Sequence, residues 1–509
     1  QVEAAWTYHN STKHSYQSVR SGSHSLDFSN QPIPFKIYKT LEPMPLPREL
    51  AAVTMPALKA VAASPSGTAG DCIPDLPAIA MLLYLSAGIT RDRKVGDWEY
   101  QFRAAACTGA LYHIELYLAC GDLPGLPAGV YHFGVHDFSL RRLREGDHRP
   151  ALVTASGGEP AVAAAPAVLV CTSTYWRNAW KYQARAYRHS YWDSGTILAN
   201  LLAAAAGLGV PARIVLGFAD APVNALLDVD SEREASLALV PLGRTANPSS
   251  GDAPSVGPLN LETVPLSRFE VDYPAIRTMH AASSLATGEE AAGWRGAGPS
   301  GDPPPASGRM IPLRPLGDTN APADSATEVI QRRGSTRSFA RRPLTAAQLS
   351  TMLDRATRGI PADFLEPPGA TLITPYVIVH AVDDLAPGAY VYHRAERALE
   401  LLPEGNFRKE AGYLGLQQEL PGDASVNVYC LVVLDPVLTR FGNRGYRAAQ
   451  LEGGITGGKL YLSAYAQRVG ATGLTFYDDD VTAFFSPHAT GKSVMFLTAV
   501  GHPARRRAG

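Results

Sequence analysis

The chain has 509 residues, more than one hydrophobic core usually serves, so two or three domains are expected. Hydrophobic residues make up 46% and charged residues 18%, and a formal net charge of −1 supplies no general attraction to nucleic acid or to an anionic membrane. The five cysteines, Cys72, Cys107, Cys120, Cys171 and Cys430, form no C-x-x-C pair and have no histidine at zinc spacing, and no apolar run is long enough to span a bilayer. A cytoplasmic protein with no metal site is expected, and the polar, Pro-punctuated opening from Gln1 to Leu50 reads as lacking a signal peptide.

In chain order, YHNSTKHSY (Tyr8 to Tyr16) places His9, Ser11 and Lys13 where hydroxyl and ammonium groups could hold an anion, or where a surface arm could run. A helix is expected from Leu76 to Ala87, ending at Gly88. After it come Arg103, Cys107, Thr108 and Gly109, a loop of small residues that lets a flat ligand approach the backbone, and then a buried strand from Leu111 to Ala119. A hairpin follows, with strands near Val130 to Phe133 and Leu140 to Leu143, and then apolar strands at Ala164 to Thr172, Pro211 to Gly217 and Leu237 to Pro241. Gly243 to about Ala326 is rich in Pro, Gly, Ser and Ala and reads as a connector, in which LNLETVPLSRFEVDYPAIRTMHAASSL is ordered and partly helical. Beyond it, RRGSTR sets Arg333 and Arg337 around Ser335, a spacing suited to a phosphate. Strands near Tyr376 to Val382, Val426 to Leu434 and Val494 to Gly501, a hairpin at GAYVYHRAERALELL and the segment GATGLTFYDDD complete the second half.

The chain is organised around WKYQARAYRHSYWDSGTILANLLAAAAGLG (Trp180 to Gly209), a polar entry feeding one buried helix. Tyr187-Arg188, Asp193 and Gly195 return as Tyr446-Arg447, Glu452 and Gly454, each 259 residues later, which points to a duplicated domain. Lys181-Tyr182 becomes Arg440-Phe441 in the second copy, so a catalytic pair would survive only in the first. Lys181 could instead be an ion-pair partner of Asp193, and Tyr182 a core aromatic. His9, Ser11 and Lys13 align with Arg333, Ser335 and Arg337, as a second and weaker copy of the anion cluster.

With YHNSTKHSY, RAAACTGALYHIELY, WKYQARAYR, RRGSTRSF and GATGLTFYDDD on the page, the chain resembles the nitroreductase-like flavoproteins. Within them it is similar to the SagB/ThcOx-type dehydrogenases that oxidise azoline rings in peptide natural products. The resemblance implies an α+β fold of two tandem nitroreductase-like domains, each a mostly antiparallel sheet flanked by helices, paired within one chain as a pseudo-dimer. Residues 1–243 would form the first domain, 244–326 the connector and 327–509 the second domain. It implies FMN bound by Arg333, Ser335, Arg337 and Arg505 or Arg506, by Arg103, Cys107, Thr108 and Gly109, and along Thr475, Phe476 and Tyr477. Lys181 and Tyr182 would serve as acid and base. The expected substrate is a small or peptide-derived molecule in secondary metabolism, and oxygen would reoxidise the flavin. The alternatives are an NAD(P)H-dependent nitro- or ene-reductase and a non-catalytic scaffold. One flavin per chain is expected, because the loop EPPGATLITP that would serve a second site departs from the family pattern. Ala106-Cys107 and Thr196 also depart from it, standing where relatives carry Pro-Ser and His.

Overall fold

The computed structural model describes residues 2–22, 24–50, 52–63, 70–95, 98–246 and 254–504. Its strands fall into two antiparallel sheets and one hairpin. In the first sheet the order is Pro43–Pro45, Ser139–Glu145, Gly129–Gly134, Ile114–Cys120, Ala167–Thr174 and Glu234–Leu242. In the second it is Gly470–Leu474, Lys492–Gly501, Val426–Val433, Ile373–Val379, Gly388–His393, Ala398–Glu404 and Met310–Pro312. Four strands of the first sheet recur in the second, each 259 residues later: Ile114–Cys120 as Ile373–Val379, Gly129–Gly134 as Gly388–His393, Ser139–Glu145 as Ala398–Glu404, and Ala167–Thr174 as Val426–Val433. The inner strands are buried along their whole length, because helices cover both faces, and this is why they read as continuous apolar runs rather than alternating ones. Ile89–Val95 and Trp98–Arg103 pair separately as a hairpin.

The organising stretch is two helices, not one. Tyr175–Tyr182 ends where Gln183 takes φ of 51°, a left-handed turn, and Ala186–Leu208 then runs through the core to a left-handed Gly209. Lys181 and Tyr182 therefore close the short helix rather than precede the long one, and Arg188 lies buried in the long one. Arg444–Ala466 is its counterpart in the second half. The two long helices cross at glycines, since a Cβ on Gly195 would stand 2.5 Å from the Gly454 carbonyl carbon, and one on Gly454 would stand 2.7 Å from the Trp192 carbonyl oxygen. Only residues without side chains allow backbones so close, which explains why this pair recurs at the repeat spacing.

Two buried ion clusters join the halves with matching chemistry. Asp478 of the second half receives Arg185 at 3.0 Å and Arg188 at 2.5 Å, while Arg188 also donates to Thr12 Oγ1 and the His9 carbonyl. Asp220 of the first half receives Arg444 and Arg447, both at 2.6 Å, while Arg447 also donates to Ser283 Oγ and the His280 carbonyl. His280, on the helix Pro274–Ala282, thus stands where His9, on the helix Glu3–Ser11, stands in the other cluster. The alignment of His9, Ser11 and Lys13 with Arg333, Ser335 and Arg337 is therefore corrected: the counterpart of His9 is His280.

Within residues 254–326, whose composition suggested a connector, the segment expected to be partly helical holds the helix Pro274–Ala282, while the helix Gly288–Trp294 and the edge strand Met310–Pro312 were not expected. Trp294 explains part of this order, since its ring meets Phe441 and its indole N–H donates to the Phe441 carbonyl at 2.8 Å. Pro211 to Gly217 was expected as a strand and forms only isolated bridges. Part of its hydrogen bonding goes to the other half instead: Ile214 N–H donates to Pro361 O and Asp363 N–H to Ile214 O.

Candidate functional site

The loop from Arg103 to Gly109 is fixed from both halves through its carbonyls. Asn200 and Thr196 of the first long helix donate to Ala104 O at 3.1 Å and Ala106 O at 2.6 Å. Arg333, from the second half, donates to Ala104 O at 2.8 Å and Arg103 O at 3.1 Å. Asp193 gathers the next residues, accepting from Thr108 N and Thr108 Oγ1 at 2.9 Å and from Cys107 Sγ at 3.3 Å, with His113 Nε2 at 2.8 Å. Burial, reinforced by the Asp193 carboxylate, pushes the Cys107 thiol well above its ordinary pKa, so it stays a protonated donor. Arg103 is buried against Tyr112 and Phe35 and donates to Pro34 O at 2.5 Å; burial lowers its pKa to about 10.

Tyr182 lies against this loop. Gly109 has φ of 64°, and a Cβ there would come 2.7 Å from the Tyr182 hydroxyl, so glycine is needed for both its backbone angle and its lack of bulk. Lys181 is half-buried with its ammonium 5.3 Å from the Tyr182 ring centre. Burial lowers its pKa, and the Arg337 charge of the second half lowers it further. Tyr182 is pushed up by burial and by the Asp193 carboxylate, and so keeps its proton. Asp193 is fully engaged with Thr108, Cys107 and His113 and makes no ion pair with Lys181, so the simple ion-pair alternative for Lys181 fails. The helix end is braced by the opening segment. Trp180 N–H donates to Asp27 O at 3.1 Å, His24 lies 3.0 Å from Trp180 O, and Phe28 covers the indole. These contacts, with the buried Tyr8 and His9, exclude a surface arm.

In the second half, Ser335 Oγ meets Tyr461 OH at 3.1 Å, and Gly473 N–H donates to the same hydroxyl at 2.5 Å. Arg337 is exposed and, like Lys181, has no carboxylate partner among the described residues. Thr475 is half-buried near Arg185, whereas Phe476 is buried against Trp192 and Arg185, and Tyr477 gives its N–H to Leu414 O. Of the three, only Thr475 is left partly open. Arg333, expected to hold an anion, is instead buried and committed to carbonyls of the loop. Arg505 and Arg506 lie outside the described residues. His9, Ser11 and Lys13 do not converge: His9 faces Tyr446 OH, Ser11 donates to Tyr8 O, and Lys13 pairs with Asp479 at 2.8 Å.

The roles of Tyr461, and of Thr196 and Arg333 toward the loop carbonyls, were not legible in the sequence. Their signal was weak, since hydroxyls within a buried helix carry no motif of their own. Cys107, His113 and Asp193 also come together, their ligand-type atoms lying within 4.8 Å of one another, but these atoms are engaged with each other, and His113 Nδ1 with Ser173. At the repeat-related position, Leu216–Asp220 (LGFAD) corresponds to Leu474–Asp478 (LTFYD). There Asp363 of the second half accepts from Leu216 N at 3.0 Å and Gly217 N at 2.8 Å, with Phe364 and Leu365 buried behind it.

The nitroreductase family model matches residues 137–244. A protein of Methanocaldococcus jannaschii described as "Putative nitroreductase MJ1384" is 27% identical over 169 residues, covering 33% of this chain and 80% of that protein. The trifolitoxin-processing protein TfxB of Rhizobium leguminosarum bv. trifolii is 28% identical over 178 residues, 34% of this chain and 48% of TfxB, so about half of TfxB is spanned. The crystal structure of a "putative nitroreductase from anabaena variabilis" has a TM-score of 0.78 at 26% identity, covering 99% of this chain and 100% of that one. The likeness to that structure thus extends over both sheets. No helix among the described residues is long and apolar enough to cross a membrane.

Proposed function

From a chain that carries a nitroreductase-family domain, an oxidoreductase fold, we propose an FMN-dependent dehydrogenase with one flavin cleft between its halves. One observation carries the reading: the Tyr182 hydroxyl packs on Gly109 of the small-residue loop, next to Lys181, whose pKa burial and the Arg337 charge of the other half lower, and neither cation has a carboxylate partner among the described residues. The exposed Arg337, close to Ser335 in the motif and without a carboxylate partner among the described residues, suits the phosphate of FMN, while Lys181 keeps the proton-accepting role. Ser335 and Arg337 would hold the phosphate, Thr475 and the backbone of Cys107 to Gly109 would line the ring, and Arg333 would act through the loop carbonyls it ties down. Asp363, already placed on Leu216 and Gly217, supports a closed second cleft and one flavin per chain.

FMN, when bound, would supply a two-electron acceptor. The depressed pKa of Lys181 raises the share of neutral amine able to take a proton from the substrate, and Tyr182, held protonated, orients that substrate as a hydrogen-bond donor. Similarity to TfxB supports a heterocyclic or peptide-derived substrate. Similarity to the M. jannaschii protein favours, as second reading, an NAD(P)H-dependent nitro- or ene-reductase; NAD(P)H oxidation driven by a nitroarene separates the two. We also assign residues 1–243 to the first unit and begin the second near Pro274, whose helix takes the place of Glu3–Ser11.

The test is the visible spectrum of the purified protein, with the released flavin identified and counted. Lys181→Ala should retain flavin and lose turnover, whereas Arg337→Ala should lose flavin. A colourless protein that takes up no added FMN ends the reading.

A further inference from the structure

The hairpin Ile89–Val95/Trp98–Arg103 belongs to the first half, and its Arg91 faces the anion segment of the second. The Arg91 guanidinium rests over Phe102, 5.1 Å from the ring centre. Its terminal nitrogens lie 3.5 and 3.7 Å from the point where a side chain on Gly334 would begin. Gly334 separates Arg333 from Ser335, so Arg91 approaches the anion segment at its centre. Arg91 is exposed, and among the described residues it meets no hydrogen-bond acceptor and no carboxylate. It also stands close enough to Arg333 for the two charges to repel.

The neighbouring hairpin residue does not neutralise it. Successive side chains of a strand point to opposite faces, and Asp92 lies in a separate groove of about 570 Å³ with Gln101 and Gln331. Arg91 and Arg333 thus bring like charge from the two halves to either side of Gly334, next to Ser335, with no carboxylate paired to either among the described residues. Repulsion of this kind is relieved by a bound dianion, and a planar guanidinium with free N–H groups matches phosphate oxygens.

We propose that Arg91 is a third phosphate-holding cation of the flavin cleft, closing over the phosphate ester from the first half while Ser335 and Arg337 hold it from the second. The proposal rests on the flavin reading above. It gives the hairpin a task in cofactor selection, because a flavin without a phosphate gains nothing from Arg91.

Equilibrium titration of the full chain, stripped of flavin, with FMN and separately with riboflavin tests this through quenching of flavin fluorescence. Arg91→Met keeps the stem over Phe102 and removes the charge. It should weaken FMN binding about tenfold and riboflavin binding less than about twofold. Arg91→Lys should recover most of the FMN affinity, and Arg93→Met, an exposed change on the same hairpin, should alter neither. Matching thermal unfolding of the variants keeps a folding defect from being counted. An Arg91→Met protein that loses FMN and riboflavin equally, or loses neither, overturns the proposal. A wild-type protein that binds neither flavin overturns the flavin reading itself.

Discussion

Glu452 lies on the second long helix at the repeat position of Asp193, yet its surroundings differ in kind. Asp193 has His113, Thr108 and Cys107 around it, whereas Glu452 accepts only from Thr371 Oγ1 and from Leu372 N at 2.9 Å, and makes no ion pair among the described residues. Burial raises its pKa to about 7. The folded protein therefore binds this proton more tightly than the unfolded chain. Below the ordinary carboxylate range both states are protonated and nothing is lost. Stability falls as pH rises through that range and reaches its full deficit above about 7, where a difference from 4.5 to about 7 corresponds to roughly 3 kcal/mol. Glu452→Gln mimics the protonated acid at every pH, with a carbonyl for Leu372 and an amide for Thr371. Urea unfolding followed by tryptophan fluorescence, at several values from about pH 5 to pH 8, should show the variant near wild type at the acid end. At the alkaline end it should be more stable by roughly 3 kcal/mol. A difference between the two proteins that does not change with pH would refute the assignment of a neutral buried acid.

Removing the Asp478 carboxylate as Asp478→Asn leaves Arg185 and Arg188 buried without their counter-charge, and should cost about 3–5 kcal/mol in thermal or urea unfolding. Burial raises the pKa of Asp478, but Arg185 and Arg188 together hold it well below the usual carboxylate range. Its stabilising effect should therefore be present at neutral pH and fade as acid protonates it; a loss under about 1 kcal/mol would mark the cluster as no stronger than a surface pair. Gly195→Ala sets a methyl 2.5 Å from the Gly454 backbone and should cost about 1–3 kcal/mol or more, whereas Gly293→Ala, with open space around it, should be neutral or slightly stabilising; equal melting temperatures for the two variants would argue against the glycine crossing.

The repeat was legible in the sequence because it is a matter of spacing: the 259-residue offset of Tyr187-Arg188, Asp193 and Gly195 is the same offset that relates four strands of the two sheets. The fold class was legible through the resemblance the motifs carry, and most of the buried strands through their apolar runs, which burial on both faces demands. Composition misled for residues 288–312, because Pro, Gly and Ser predict irregular backbone but not whether a single Trp294 will anchor it in a core built by other segments.

Within the candidate site, local pattern singled out Lys181, Tyr182, Ser335 and Arg337, residues whose chemistry shows in their own side chains. What it could not assign was direction. Arg333 and Arg337 stand four residues apart in one motif, and only the position of the Arg103–Gly109 loop decides that Arg333 turns inward to carbonyls while Arg337 stays exposed. His9 likewise looks like an anion ligand beside Ser11 and Lys13, until Tyr446 and Arg188 claim its ring and carbonyl. A sequence fixes which groups can bond. For several buried groups, such as Arg185, Arg188, Arg333 and Asp220, the partner comes from the other half of the chain, and distances between the halves exist only once the two long helices have crossed.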